Sequence, residues 1–346
     1  MNTASPQIPP IANQWPLRAL NTLGIAATAR AYLRVTSAAD LQAVRTNPDL
    51  SRLPRLILGG GSNLVLSGDF DGLVLHLVNQ GKCIVGEDET HVVVSAQAGE
   101  NWHEFVQWTL AQDVPGLENL SLIPGSVGAA PIQNIGAYGS ELKDFFHSLT
   151  YFDFSTGEIC VLDREACRFA YRDSIFKHEL RDRAVILEVS FALPRQWKAN
   201  LSYAELAREL SANGVDSPSA REISDAVIAI RRRKLPDPSV IGNAGSFFKN
   251  PIVTKESHAT LLEKYPQLVS YPQADGTAKL AAGWMIDQCG WKGKSLGAAG
   301  VHEKQALVLI NRGGASGADI LNLAQAIQDN VRQHFGVMLE IEPVVV

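Results

Sequence analysis

Residues 123–139 read IPGSVGAAPIQNIGAYG, and the fold turns on what such a stretch can be. It closes a run from Pro115 to Gly139 that is dense in Gly, Pro, Asn and Ser. A loop of that length inside a compact domain is either disordered or functional. Its apolar members Leu120, Leu122, Ile123, Val127, Ile132 and Ile135 predict that it is packed. Gly125, Gly128, Gly136 and Gly139 let a backbone come close to something flat or charged. Ser126, Gln133 and Asn134 can hydrogen-bond a heteroaromatic ring or a phosphate. A buried crossing between lobes has the same composition, and the cofactor reading outweighs it.

Upstream, Leu56-Ile57-Leu58 runs into Gly59-Gly60-Gly61-Ser62-Asn63, a strand emptying into a tight loop. Without side chains, successive backbone N–H groups can line a concave surface suited to phosphate oxygens, and a tight structural turn explains the stretch nearly as well. This is no Rossmann fingerprint, since the third glycine of GxGxxG falls on Leu64. Residues 72–78 and 91–95 predict strands, and Asn101 predicts the cap of a helix carrying Phe105, Val106 and Leu110. Strand patterns return at 149–154, 159–162 and 184–191. Helical patterns follow at 202–211, 221–234, 278–289 and 317–334, then a final strand over 336–345. In 221–234, Ile223, Ala226, Val227 and Ile230 recur at helical spacing. The class is α+β, with a division near residue 200: a cofactor domain over 1–200 (lobes about 1–80 and 81–200, N-terminal tail 1–16) and a substrate domain over 201–346. The last strand could pack back on the first domain.

The chain has 346 residues, 46% hydrophobic and 19% charged, with a net charge of −5. That size predicts more than one core, and that charge gives no broad footprint for nucleic acid. The basic run Arg231 to Lys234 reads as cations at a helix C-terminus, Lys234 being a separate case. Cys83, Cys160, Cys167 and Cys289 have neither metal nor disulfide spacing, and no metal site is expected. No window approaches the ~18 apolar residues of a membrane span, and residues 1–16 lack a secretory core. A cytoplasmic protein is expected. Gly293-Lys294-Ser295 is not a P-loop, because the earlier glycine it requires falls on Gln288.

Two further sites invite chemistry. Arg172, in Tyr171-Arg172-Asp173, could clamp a carboxylate bidentately, although an Arg–Asp surface pair is the commoner use. Ser246, between Gly245 and Phe247-Phe248, could protonate a strongly basic carbon in an apolar pocket. No neighbouring His makes it a hydrolase nucleophile.

Together these segments resemble the UDP-N-acetylenolpyruvoylglucosamine reductase family, in its longer form with an extra loop. The motifs are LGGGSN, LSLIPGSVGAAPIQNIGAYG, CRFAYRDSIFKHEL, RKLPDP, GNAGSFFKNP, YPQADGTAKLAAGWMIDQ and ALVLIN, in the family's order. The resemblance implies a two-lobed FAD domain like that of vanillyl-alcohol-type oxidases, then an α+β substrate domain. FAD would bind non-covalently through Gly59, Gly60, Gly61, Ser62 and Asn63, and through Pro124, Gly125, Ser126, Gly128, Ala129, Gly136 and Tyr138. NADPH would be co-substrate, and the enolpyruvyl group of UDP-N-acetylglucosamine would be saturated for peptidoglycan synthesis. Arg172 and Glu340 would stabilise the substrate carboxylate, and Ser246 would supply the proton. Pro343 departs from the family's usual Val, and Glu342, on the same strand face as Glu340, stays the alternative. Tyr171, Tyr203, Lys234, Asn250 and Gln305 would bind the UDP-sugar, the partner of a monomer with no nucleic acid or membrane contact. Two rivals stand beside this: an alcohol or sugar oxidase on the same fold, and a non-catalytic UDP-sugar or flavin binder.

Overall fold

The computed structural model describes residues 10–346. The expected tail over 1–16 thus lies outside the described residues as far as residue 9, and its end differs from the expectation. Ala12–Pro16 is a β-strand, with Trp15 stacked on Tyr32 at 4.6 Å between ring centroids. The chain divides into two compact units, one of Met1–Trp15, Ala29–Gly60 and Asp71–Arg231, the other of Pro16–Thr28, Gly61–Phe70 and Arg232–Val346.

The first unit holds two sheets. One has the strand order Ala12–Pro16, Thr28–Val35, Phe70–Leu77, Arg55–Leu58, the last two strands running parallel. The other is antiparallel, in the order Ile159–Asp163, Phe146–Asp153, Ala184–Pro194, His91–Gln97, Lys82–Glu87. Its central strand Ala184–Pro194 is buried on both faces over its first four residues, then alternates, as a strand leaving a two-sided core must. Helix Trp102–Ala111 starts where Asn101 predicts, the Asn101 side chain accepting from the Glu104 amide at 3.0 Å. Its Trp102 and Phe105 pack with Phe191 at the centre of the core.

The long 115–139 loop is packed, as its apolar residues predict. It is built of short 3₁₀ turns, Glu118–Leu120 and Val127–Gln133. Leu117, Leu120, Val127, Ala130 and Ile135 enter the same core, and Trp102 Nε1 donates to the Leu120 carbonyl at 2.9 Å. Buried Glu118 receives bonds from Trp197 Nε1 and the Gly116 amide, each at 2.7 Å, while desolvation raises its pKa.

The expected division at 200 differs from this partition. Helix Ala204–Ala212 and most of helix Ala220–Lys234 belong to the first unit. There Leu206, Leu210, Ile223, Val227 and Ile230 cluster, with Tyr138 and Trp197 against them. The amphipathic stripe finds its apolar partner in the first unit, so the chain shift near Pro194 is not where the contacts divide.

The second unit centres on helix Gly317–Phe335, begun by a Ser316–Asp319 capping box and ended by Gly336 in the left-handed region. Beside it runs a sheet ordered Gly242–Ser246, Val308–Asn311, Ala299–Val301, Ser295–Leu296. The expected helix over 278–289 is shorter. Ala278–Leu280 is a strand between Ile252–Val253 and Ser270–Pro272, and the helix is Ala282–Gln288. Cross-strand pairing overrides the helical spacing there. The expected final strand is regular only at Val344–Val345, paired in parallel with Leu64–Val65.

Asp153, only 2% exposed, is gripped by Arg183, whose Nε and Nη2 donate at 2.9 and 2.6 Å. These bonds hold its carboxyl well below the ordinary carboxylate range. A depressed folded pKa contributes stability that is complete above the unfolded value and lost as pH falls through the folded one. Arg183→Ala should therefore lower the urea midpoint at pH 7, and its gap from the parent should narrow as pH drops below about 4. Chemical denaturation at several pH values measures both.

Candidate active site

In the first unit the strand Arg55–Leu58 delivers Gly59 and Gly60 against the turn at Gly125-Ser126. A Cβ on Gly60 would lie 2.9 Å from Gly125 Cα, and one on Gly59 would lie 2.3 Å from Ser126 Oγ. Gly128 is as confined, its added Cβ meeting Ala98 Cβ at 2.4 Å. The turn is held by Trp102 N donating to Gly125 O at 3.1 Å and Val127 N to Glu100 O at 2.9 Å. Ser126 Oγ is buried and has no hydrogen-bond partner among the described residues. Of the loop's other expected contacts, Pro124 and Ala129 are exposed, and Gly136 and Tyr138 are half-buried.

Arg172 belongs to the same unit and the same cluster. Its Nη2 donates to the Gly136 carbonyl at 3.0 Å, and its guanidinium lies 5.5 Å from the Tyr171 ring centroid. The backbone at Arg172 is left-handed, φ 56°, a conformation that costs a non-glycine residue energy and marks functional turns. Two bonds between Ala170 and Asp173, at 3.1 and 3.3 Å, enforce it, with Lys177 Nζ donating to Arg172 O at 2.8 Å. Asn134 Nδ2 ties Ala170 O and the Glu141 carboxylate to this turn, each at 3.0 Å.

Tyr203 precedes helix Ala204–Ala212 and remains 39% exposed. Its ring meets the edge of Tyr138 at 5.2 Å. Burial pushes the Tyr138 hydroxyl up to about 12, with Arg231 bonded to it. Arg231 also donates through Nε to Leu122 O at 3.1 Å. The sequence reading treats Arg231 as a terminal helix charge, and the structure differs. Position 231 follows Ile223 and Val227 by eight and four residues, so helical spacing places it on the buried stripe, a signal that could have found it.

The second unit holds the remaining candidates. Gly61 has φ 59°, and a Cβ there would stand 1.9 Å from Leu20 O. Thr22 bridges this loop to the serine strand, its amide donating to Gly61 O at 3.1 Å and its hydroxyl to Asn243 O at 2.7 Å. Ser246 ends strand Gly242–Ser246, after Gly245 in the left-handed region and before the fully buried Phe247 and Phe248. A register shift falls between Asn243 and Ser246, and Ser246 itself pairs with Val308 of the neighbouring strand. The C-terminal segment runs alongside: Lys249 N donates to Glu340 O and Glu342 N to Phe247 O, both at 2.9 Å. Glu342 O lies 3.5 Å from Asn63 Nδ2, and Val344 N donates to Asn63 O at 3.0 Å. Asn63, Glu342 and the residue following Ser246 are thereby joined.

The two glutamates differ. The Glu340 side chain is 70% exposed and ion-paired with Lys249, whereas Glu342 is half-buried. Asn250 Oδ1 accepts from Ala282 N at 3.0 Å and so caps helix Ala282–Gln288. Gln305 Oε1 accepts from Leu307 N at 3.3 Å. Lys234 ends its helix half-buried, and Ser62 is likewise half-buried.

Within the first unit, a glycine cradle with a buried unsatisfied hydroxyl and an arginine bonded to the adjoining loop are features of a cofactor-binding enzyme. Residues 29–163 match the FAD binding domain family, and residues 237–346 match the UDP-N-acetylenolpyruvoylglucosamine reductase, C-terminal domain. The chain is 56% identical over 343 residues to the UDP-N-acetylenolpyruvoylglucosamine reductase of Paraburkholderia phymatum, covering 99% of each chain. It is 57% identical to that of Burkholderia orbicola, covering 95% of each. The crystal structure of the reductase from Thermus caldophilus superposes with a TM-score of 0.67 at 23% identity, over 97% of this chain and 98% of that one, which establishes the shared fold. The chain belongs to the UDP-N-acetylenolpyruvoylglucosamine reductase family.

It accordingly carries an FAD-binding domain followed by the family's α+β C-terminal domain. The residues present fit the flavin cofactor: side chains are missing where a Cβ would fill the cradle, and Ser126 Oγ is the kind of buried polar atom that a bound group satisfies. Gly60→Ala should displace this turn, at the scale of about 1–3 kcal/mol for overpacking. The purified variant is expected to retain roughly tenfold less FAD, measured from the ratio of flavin to protein absorbance.

Proposed function

We propose that this chain reduces the enolpyruvyl double bond of UDP-N-acetylglucosamine enolpyruvate to give UDP-N-acetylmuramate, a peptidoglycan precursor, with NADPH as the reductant. The relatives it matches over nearly their whole length are reductases by name. The structural observation that carries the reading is Arg172 bonded to the carbonyl of Gly136, in the loop that fits the cofactor. Bound FAD supplies the hydride that the terminal vinyl carbon receives.

This chain's own residues manage the carboxylate and the proton. As hydride adds, negative charge grows on the adjacent carbon and spreads into the carboxylate attached to it. The Arg172 fork matches that carboxylate in shape, and its strained, over-tied turn keeps it from reorganising as charge develops. Ser246 donates the proton to the adjacent carbon from a hydroxyl flanked by buried phenyl rings. The product then has two new C–H bonds, one from hydride and one from the serine proton.

For the glutamate, the geometry favours Glu342 over Glu340. Glu340 is exposed and ion-paired with Lys249, whereas Glu342 is half-buried and its backbone amide donates to the carbonyl of Phe247, the residue after Ser246. Tyr171, Tyr203, Lys234, Asn250 and Gln305 remain the proposed contacts to the UDP-sugar. The enzyme is read as a cytoplasmic monomer, and among the described residues no helix is long and apolar enough to cross a membrane.

Ser246→Ala should slow sugar reduction by roughly 10²–10⁴, the worth of a general acid, while NADPH still bleaches the flavin in the absence of sugar. Stopped-flow absorbance separates the two half-reactions, and an unimpaired sugar half-reaction would remove Ser246 from the mechanism. Arg172→Lys should fail in the same half-reaction, because a point charge does not replace the fork. Between Glu342→Gln and Glu340→Gln, the former should show the larger loss in kcat. The reverse order would return the role to Glu340.

A further inference from the structure

We propose that Arg231 is a positioning residue for the flavin loop: one guanidinium holds the residue before it, Leu122, and its penultimate residue, Tyr138, and so fixes the loop's span. The proposal rests on the reading of 123–139 as that loop. Both anchor points are left-handed non-glycine residues, φ 58° at Leu122 and 48° at Tyr138. Such conformations persist only where several contacts impose them. Leu122 is held through its amide, which donates to His103 Nδ1 at 3.0 Å, and through its carbonyl, which accepts from Arg231 Nε at 3.1 Å. Tyr138 is held through its carbonyl, which accepts from Asn119 Nδ2 at 2.8 Å, and through its hydroxyl, bonded to Arg231.

With Nε donating to Leu122 O, the terminal nitrogens of the same guanidinium are left to meet the Tyr138 hydroxyl. The planar group therefore works as a spacer of fixed width. A lysine ammonium is a point on a flexible stem and cannot hold two such acceptors in one plane. The guanidinium is desolvated enough that burial lowers its pKa, a cost with no evident purpose at an ordinary helix terminus. The Tyr138 ring in turn forms the edge contact with Tyr203. The same clamp thereby sets the seat of Tyr203, one of the proposed contacts to the UDP-sugar.

Diluting the holoenzyme and following the rise of flavin fluorescence tests the clamp. R231Q is expected to weaken FAD retention by roughly tenfold or more, the scale of one charge-assisted hydrogen bond lost. R231K should not restore it, Y138F should show a smaller loss, and R231Q/Y138F should be no worse than R231Q. The KM for the UDP-sugar should rise more than kcat falls. FAD retention at the parental level in R231Q or R231K, or strictly additive losses in the double variant, would overturn the proposal. If R231Q does not accumulate folded, R231K and Y138F carry the test, and parental retention in both overturns it. G60A serves as control: if it keeps FAD fully, the reading of the flavin loop has failed, not the clamp.

Discussion

Everything in the first unit is arranged around one steric constraint, the contact of Gly59 and Gly60 with Gly125 and Ser126. At these separations no side chain fits on either glycine without moving the opposite turn. What results is a close-packed turn of backbone with one buried hydroxyl, Ser126 Oγ, left without a partner among the described residues. The core beneath has to hold two irregular segments in register. It does so with the Trp102, Phe105 and Phe191 cluster, and with direct bonds from strand and helix backbone into the loop.

Irregular backbone carries much of the specificity. Leu122, Asn134, Tyr138 and Arg172 all have positive φ without being glycine. Each is tied by bonds from outside its own turn: His103 and Arg231 at Leu122, Lys143 N at the Asn134 side-chain Oδ1, Asn119 at Tyr138, Lys177 at Arg172. Strain held by many partners leaves little freedom to relax, which is what preorganised charge stabilisation requires. In the second unit the C-terminal segment has a comparable duty, joining Asn63 to the strand that bears Ser246 through main-chain bonds.

Helix Ala220–Lys234 shows how local pattern and global packing divide the information. Its stripe of Ile223, Val227 and Ile230 was legible, because amphipathic periodicity is a local property. Which body the stripe would face was not, because composition shifts near Pro194 say nothing about where apolar surface finds its complement. The strand Ala278–Leu280 makes the same point: its residues tolerate a helix, and pairing with Ile252–Val253 and Ser270–Pro272 decides otherwise.

The order of the motifs by itself determined the family, the FAD domain and the identity of Arg172 and Ser246 as candidates, since glycine spacing and an isolated fork or hydroxyl can be read in one dimension. The capping of helix Trp102–Ala111 by Asn101 was equally local. What the sequence could not show is how Glu340 and Glu342 differ, because alternation puts both on one strand face while burial and the Lys249 ion pair come from other segments. Only the tertiary structure turned Arg231 from a helix-end charge into a clamp, since the atoms it holds lie about a hundred residues away in the chain. Contacts between distant segments are set by packing of the whole core, and no window of sequence contains them.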